Sequence, residues 1–230
     1  MNPVNKNSRI LGVAFFLQFI TPLTSGIILN QALIKDDISK TMVNIAGKSW
    51  LMRINILGEM LTAVGIIFLG AVLYVTLKKH NEKMALTAFG FYILEAVMLA
   101  TSRIQAFSLL HISQEYVAEG RASYLLSMGN LAFESMNYIY GSMLMFAFCL
   151  GAILFYYLLY KSRIIPRGMS LWGLSTVILC LIPTLFVMFG IHSLSFLYIP
   201  YMPFECVVAV WILLKGVERN PHTFRTSQSS

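Results

Sequence analysis

Charged residues are scarce in this sequence, and that scarcity excludes most soluble folds. Asp, Glu, Lys and Arg together make up 12% of the 230 residues, whereas 57% are hydrophobic. Soluble domains carry about 25% charged and roughly 45–50% apolar residues. With so few charges, and a mean hydropathy of +0.72, the chain cannot cover a surface that faces water. Most of its surface is therefore expected to face lipid.

Cysteine is also rare, and its placement excludes a disulfide framework. The three cysteines, Cys149, Cys180 and Cys206, all lie within apolar runs, and we interpret them as small packing residues. No Cys/His pair has zinc-finger spacing. No cleavage site of the small-x-small type follows the first apolar run, and the length of that run favours a retained helix over a signal peptide.

Long apolar runs, in contrast, are abundant. Six of them reach the roughly 20 residues that cross the hydrocarbon core of a bilayer. We place these spans at 10–29, 54–77, 85–110, 138–160, 169–191 and 196–214. They predict an all-α integral membrane bundle of six transmembrane helices. Residues 1–218 would form a single polytopic membrane domain, and 219–230 a polar cytoplasmic tail.

The basic residues predict the orientation of the bundle, since Lys and Arg accumulate in cytoplasmic loops. Eleven lie on the side of the two termini: Lys6, Arg9, Lys78, Lys79, Lys83, Lys161, Arg163, Arg167, Lys215, Arg219 and Arg225. Four lie on the other side: Lys35, Lys40, Lys48 and Arg121. We therefore expect both termini in the cytoplasm. The clusters alternate with apolar runs instead of forming one basic face, so the net charge of +7 does not indicate a nucleic-acid partner.

The two long loops would then lie on the external side. In 30–50, Ile38, Met42 and Ile45 recur at helical spacing and Gly47 is a plausible stop, which predicts a short helix on the membrane surface. In 111–137 the apolar residues are too few for another span. We expect an amphipathic or re-entrant segment there.

Ionisable residues inside the spans are the candidate functional residues, because a charge at mid-bilayer costs about 2.5–3.5 kcal/mol on insertion scales. Each of three spans also carries one polar stripe. The stripes are Gln18, Thr21 and Ser25; Asn55, Glu59 and Thr62; and Tyr198, Tyr201 and Glu205. Lipid offers no hydrogen-bond partners, so the stripes should turn inward and converge on a polar cavity open toward the outside. The candidate ligand- or proton-binding residues are Glu205, Glu95, Glu59, Arg103, Tyr201, Asn55 and Gln18.

Several alternatives remain open at this point. Glu59 or Glu95 would hold the bundle together by pairing with Arg103, or each acid would carry a proton. Pro200 and Pro203 either free backbone carbonyls for a cavity or simply begin a helix. His111 and His192 are the only candidates for a metal site with Glu59 or Glu205, but their spacing is not specific for one.

Three classes of function compete. The leading class binds or transports a small molecule, an ion or a proton through inward-facing carboxylates. The second is a membrane-embedded enzyme that acts on lipid at the outer face, although no nucleophile–base or metal motif is present and we expect no catalytic residue and no cofactor. The third is a structural or accessory subunit without a pocket. The sequence leaves the ligand and the oligomeric state open.

Two stretches near the end of the chain resemble a known family. They are SRIIPRGMSLWGL (162–174) and IPYMPFECVVAVWILLKG (199–216). The chain is similar there to the bacterial integral membrane proteins called domain of unknown function 4386. The resemblance rests on Pro166, Arg167, Ser170, Trp172, Gly173, Pro203, Glu205, Trp211 and Gly216. It implies a protein of six or seven spans and brings no known reaction. With the orientation above, it places the chain in a bacterial cytoplasmic (plasma) membrane, with the lipid bilayer as its partner.

Overall fold

The computed structural model describes residues 6–34, 37–191 and 193–215, with side chains from Ile10 onward, and these ranges contain helices but no strand. The helices are α1 (Lys6–Ala32), α2 (Ile38–Gly47), α3 (Ser49–Leu77), α4 (Glu82–Ala118), α5 (Ser123–Tyr138), α6 (Met145–Ser162), α7 (Arg167–Met188) and α8 (Tyr201–Lys215). A π-helical segment, Ile139–Leu144, joins α5 to α6, and a 3₁₀ turn, Ser195–Tyr198, precedes α8.

Six stretches of helix are long and apolar enough to cross a membrane, which confirms the predicted six-span bundle. Their bounds are Ile10–Ala32, Ser49–Leu77, Glu82–Ala118, Ser123–Ser162, Arg167–Met188 and Ser195–Lys215. Such helices satisfy their own backbone hydrogen bonds, which hydrocarbon cannot do. The predicted tail at 219–230 lies outside the described residues.

The prediction for 111–137 needs correction. An amphipathic helix is present there, as α5, and it buries one face through Leu125, Gly129, Ala132 and Met136. It is not a separate or re-entrant segment, however. It continues through the π-helical segment into α6, so the helix that contains the fourth span begins at Ser123, well before the predicted 138–160. Only 119–122 separate α4 from α5, and Gly120 there has a left-handed φ of 69°.

The predicted short helix in the first long loop is confirmed as α2. Asp37 caps its start, accepting a hydrogen bond from the Lys40 backbone N–H at 2.9 Å. Met42 and Ile45 are fully buried, and α2 packs against α4 and α5. A side chain at Gly129 of α5 would collide with Met42, so this glycine allows α2 to lie close against α5.

The helix α4 is central, since it packs against α2, α3, α5 and α6. On the other side of α3, α1 packs against both α3 and α8. Gly12 of α1 approaches Leu213 of α8. The start of α1 and the end of α8 therefore lie at the same face of the bundle. We call this the terminal face, and the face that carries α2 the opposite face.

The two prolines of the sixth span lie at the start of a helix, which is one of the two alternatives that the sequence left open. The helix α8 starts at Tyr201, directly after Pro200, and Pro203 is its third residue. The first N–H groups of a helix have no intrahelical acceptor, so Pro203 costs no hydrogen bond. Fifteen residues of α8 extend only about 22 Å, so the 3₁₀ turn before the prolines completes the crossing.

Candidate functional site

A continuous chain of hydrogen bonds joins four helices around Arg103. The Arg103 guanidinium donates to Asn55 Oδ1 at 3.0 Å and to Ser102 Oγ at 2.8 Å. Asn55 Nδ2 in turn donates to the Ser25 carbonyl of α1 at 2.9 Å. Ser102 Oγ donates to the Met136 carbonyl of α5 at 3.0 Å. We call Asn55, Glu59, Ser102 and Arg103 the arginine cluster; all four are buried.

Glu59 belongs to this cluster without touching its cation. The Glu59 carboxylate and the Arg103 guanidinium lie within electrostatic range, yet the one ion pair among the described residues is Lys40–Asp37. Glu59 Oε2 and Arg103 Nε are both buried without a hydrogen-bond partner. The direct pairing that the sequence left open is therefore not formed. Buried polar atoms of this kind are usually satisfied by water or a ligand.

The polar stripe of α3 turns inward, as predicted, because Asn55, Glu59 and Thr62 are all buried. On α1, Ser25 is buried whereas Gln18 and Thr21 are half-buried. The Gln18 side-chain oxygen is enclosed without a partner. Gln18 lies against Gly65 of α3, toward the terminal face from the arginine cluster.

A second cluster surrounds Glu205 and contains a relay of hydroxyl groups. Tyr201 donates its hydroxyl to Glu205 Oε1 at 2.9 Å, one turn along α8. The Tyr156 hydroxyl of α6 lies 3.1 Å from that of Tyr201. Because Tyr201 has a single hydroxyl proton and gives it to Glu205, Tyr156 must be the donor in this second bond. The direction of the chain is thus Tyr156 to Tyr201 to Glu205.

Glu95 of α4 completes this cluster. Glu95 is 5% exposed, and its carboxyl group lies within electrostatic range of Glu205 and has one buried oxygen without a partner. Tyr92 lies one turn before Glu95 and is held between Gly70 of α3 and Gly151 of α6, where a methyl group would come within about 3 Å of the ring. We call Tyr92, Glu95, Tyr156, Tyr201 and Glu205 the glutamate cluster.

Aromatic rings enclose the glutamate cluster. Tyr92 meets Phe155 edge-to-face, with centroids 5.0 Å apart. Phe204, which follows Tyr201 by three residues, meets Tyr156 at 5.1 Å and Trp172 at 5.5 Å, again edge-to-face. Glu95 is buried and Glu205 is half-buried, and an apolar lining of this kind makes an unpaired charge costly.

The π-helical segment lies between the two clusters. The ring of Tyr140 packs over the Arg103 guanidinium, with 5.7 Å from the guanidinium carbon to the ring centroid, and Tyr140 is also within electrostatic range of Glu59, Glu95 and Glu205. Ser142 is fully buried and its hydroxyl has no partner. Glu95 and Arg103 are eight residues apart on α4, so about 12 Å of helix separates the clusters. Single π-helical turns are frequent at functional sites.

The described residues contain no group of three or more His, Cys, Asp or Glu side chains that would hold a metal ion. His111 is exposed on α4 and stacks on Phe107, whereas His192 lies outside the described residues. All three cysteines are free, as expected.

The structure thus brings six of the seven candidate residues together in two clusters. Arg103, Asn55 and Glu59 meet in the arginine cluster, Glu205, Glu95 and Tyr201 meet in the glutamate cluster, and Gln18 stands apart from both. Sequence reasoning missed Tyr92, Ser102, Tyr140 and Tyr156. The spacing of Tyr92 and Glu95, three residues apart on one helix face, was an available signal, whereas Tyr156 reaches Glu205 from a distant helix and gave none.

The helices and buried acids define an integral membrane protein with six spans and ionisable groups in its interior. The family model described as "Domain of unknown function (DUF4386)" matches residues 10–216. The chain therefore belongs to this family, as the two carboxyl-terminal stretches indicated. No curated protein and no solved structure shows significant similarity to it.

Proposed function

We propose that this protein binds and releases a proton at the Glu95–Glu205 pair, as part of the transport or sensing of a proton or small cation. The observation that supports the proposal is the pairing of two acids from different helices, α4 and α8, in apolar surroundings. No Lys, Arg or His in the described part of the chain forms an ion pair with either of them. An ionisable residue inside the membrane is by default a functional-site hypothesis.

Electrostatics favours a proton shared by the pair. Two ionised carboxylates within electrostatic range repel each other where the dielectric constant is low, so the arrangement in which one of the two carries a proton has the lower free energy. The two groups then titrate as a unit, not as separate residues. The hydroxyl chain from Tyr156 through Tyr201 gives Glu205 a hydrogen-bonded route along which a proton can move.

A proton also requires less space than an organic ligand. Pockets for organic ligands typically measure about 300–1,000 Å³. Two depressions of that size lie beside α2, at about 440 and 420 Å³, and neither is lined by Glu95 or Glu205. A proton needs no cavity of its own. The polar cavity open to the outside remains a prediction.

The experiment compares the purified, lipid-reconstituted protein at acid and alkaline pH by infrared difference spectroscopy, which detects the carbonyl band of a protonated carboxyl group. We expect the band in the parent, and its loss or shift in Glu95→Gln and Glu205→Gln. The matched control is Glu134→Gln, which removes an exposed acid of α5 that bonds to Asn130 and should leave the band unchanged.

A second measurement follows proton entry into liposomes that contain a pH-sensitive dye, after a pH jump. Glu205→Gln should slow proton entry relative to both the parent and Glu134→Gln. If Glu205→Gln and Glu205→Leu both match the parent in the infrared and in the liposomes, the proton-binding role is wrong. A structural or accessory role would then be the better account.

We also propose that the terminal face is cytoplasmic, in a bacterial plasma membrane. Lys78, Lys79 and Lys83 lie at this face, which agrees with the excess of Lys and Arg expected on the cytoplasmic side. Reporter fusions to the two chain ends should both give the cytoplasmic signal. Ends that report from opposite sides would refute the orientation.

A further inference from the structure

A basic depression lies on the opposite face, between α2 and the turn that joins α4 to α5. It measures about 440 Å³, and Lys40, Lys48 and Arg121 are among the residues that line it. Among the described residues that line it there is no carboxylate. Lys40 pairs with Asp37 at 3.0 Å, whereas Lys48 and Arg121 form no ion pair among the described residues. Ser39 and Asn44 add neutral polar groups to the same wall.

The backbone holds Arg121 in an uncommon conformation at this site. Gly120 and Arg121 both have left-handed φ values, 69° and 68°, and few residues other than glycine adopt them. The Arg121 N–H bonds to the Tyr116 carbonyl at 2.8 Å, which closes the end of α4 in a Schellman arrangement. The turn therefore fixes where the arginine leaves the backbone, beside α2.

A second depression adjoins the first and is mostly apolar. It measures about 420 Å³ and is lined by Val43, Ala46, Gly47, Gln114, Val117 and Ala118. Val43 and Gly47 line both depressions. A cationic recess thus adjoins an apolar one across a single turn of α2.

We propose that α2 carries a binding site for one anionic phospholipid, with its phosphate at Lys40, Lys48 and Arg121 and an acyl chain along Val43 and Val117. The charge of the first recess matches a phosphate, and the second recess matches the hydrocarbon that a free anion lacks. Exposed Trp50 and Tyr124 lie beside this region in the sequence, and aromatic residues of this kind mark the level of lipid headgroups. Basic pockets between helices bind anionic headgroups at that level.

The experiment measures lipid binding to the full chain in detergent by native mass spectrometry, with phosphatidylglycerol as the probe. Each cation near a membrane surface contributes substantially to the attraction of anionic lipid, so replacing Lys40, Lys48 and Arg121 with Gln should weaken binding about 100-fold. The matched control is Arg53→Gln. Arg53 is an exposed cation of α3 at the same face, and it lines neither depression. It should leave the affinity unchanged.

Gly47→Leu tests whether one lipid occupies both recesses. A side chain at Gly47 meets no atom within 4 Å and the backbone φ is not left-handed, so the variant should fold. Its side chain would occupy the junction, and phosphatidylglycerol binding should fall while phosphatidylcholine stays weak. The proposal is overturned if the triple variant binds like the parent. It is also overturned if Gly47→Leu binds like the parent and inorganic phosphate competes with the lipid, because the site would then take a free anion.

Discussion

The arginine cluster and the glutamate cluster share α4 but differ in the charges they contain. The arginine cluster contains a cation and an acid, and its hydrogen bonds connect α1, α3, α4 and α5. The glutamate cluster contains two acids, and its hydrogen bonds run among side chains only, from Tyr156 to Tyr201 to Glu205. A network that reaches the backbone of several helices stabilises their packing. A pair of like charges does not stabilise packing, so its presence suggests a role in function.

The same contrast gives the two buried acids, Glu59 and Glu95, different roles. Glu59 has a cation within electrostatic range, so an ionised Glu59 leaves the arginine cluster close to neutral. Glu95 has instead a second acid in range. Ionising Glu95 therefore adds charge of the same sign in a low-dielectric region, and a change of protonation there should be felt by Glu205.

The largest effect is expected from Arg103→Leu. The variant leaves Glu59 as an uncompensated buried acid and deprives Asn55 and Ser102 of a donor, so it should destabilise the fold by about 3–5 kcal/mol. The loss of unfolding free energy is measured by unfolding the protein in mixed detergent micelles of increasing denaturing strength. Glu205→Leu is the counterpart from the glutamate cluster, and because it removes an acid that has no ion-pair partner among the described residues, it should be close to neutral. Equal losses for the two variants would remove the contrast between the clusters.

Asn55→Ala should have the next largest effect. It removes both the bond to the Ser25 carbonyl and the acceptor of Arg103, so about 1–3 kcal/mol of unfolding free energy should be lost in the same unfolding measurement. Thr62→Ala is the matched control on the same helix face, because the Thr62 hydroxyl bonds only to the Gly58 carbonyl of its own helix. If the two substitutions lower the unfolding free energy equally, the hydrogen bonds of Asn55 between helices contribute nothing to stability.

Tyr201→Phe sharpens the description of the glutamate cluster. It deletes the hydrogen bond to Glu205 and should cost only about 0.5–1.5 kcal/mol. Its distinctive effect should be spectroscopic, since the carbonyl band of the protonated pair should shift. Tyr157→Phe, which changes an exposed ring, serves as the control. An unshifted band in Tyr201→Phe would show that this hydroxyl does not act on the acids.

The smallest effect is expected at Asp37, an acid outside both clusters. The hydrogen bond from the Lys40 backbone N–H, followed by the Lys40 side chain, lowers the pKa of Asp37 below its ordinary value of 3.8. The folded form thus favours the carboxylate, and this stabilisation is complete above the unfolded pKa and is lost as the pH falls through the lower folded pKa. Asp37→Asn keeps a cap and should remove this small dependence in acid unfolding curves. Unchanged curves would contradict the assignment.

Local patterns predicted much of the architecture correctly. Hydropathy over about 20 residues is a property of each segment alone, and it gave the six spans. Helical spacing gave α2 and the inward turn of Asn55, Glu59 and Thr62, because lipid offers such groups no partner. The helix that contains the fourth span starts earlier than the predicted span, because α5 is too polar to be recognised as part of an apolar run. Its burial depends on α2 and α4, which cover its inner face.

The sequence by itself determined that this chain is a six-span helical bundle whose few ionisable residues must turn away from lipid, since the energy of placing a charge in hydrocarbon depends on the residue and not on its neighbours. Only the tertiary structure decided which acid meets which group. Glu59 lies near Arg103, and Glu95 lies near Glu205 although 110 positions separate them in the chain. The packing of α3, α4, α6 and α8 makes these assignments, because contacts between helices follow from shape across the whole bundle and leave no periodic trace in any one segment.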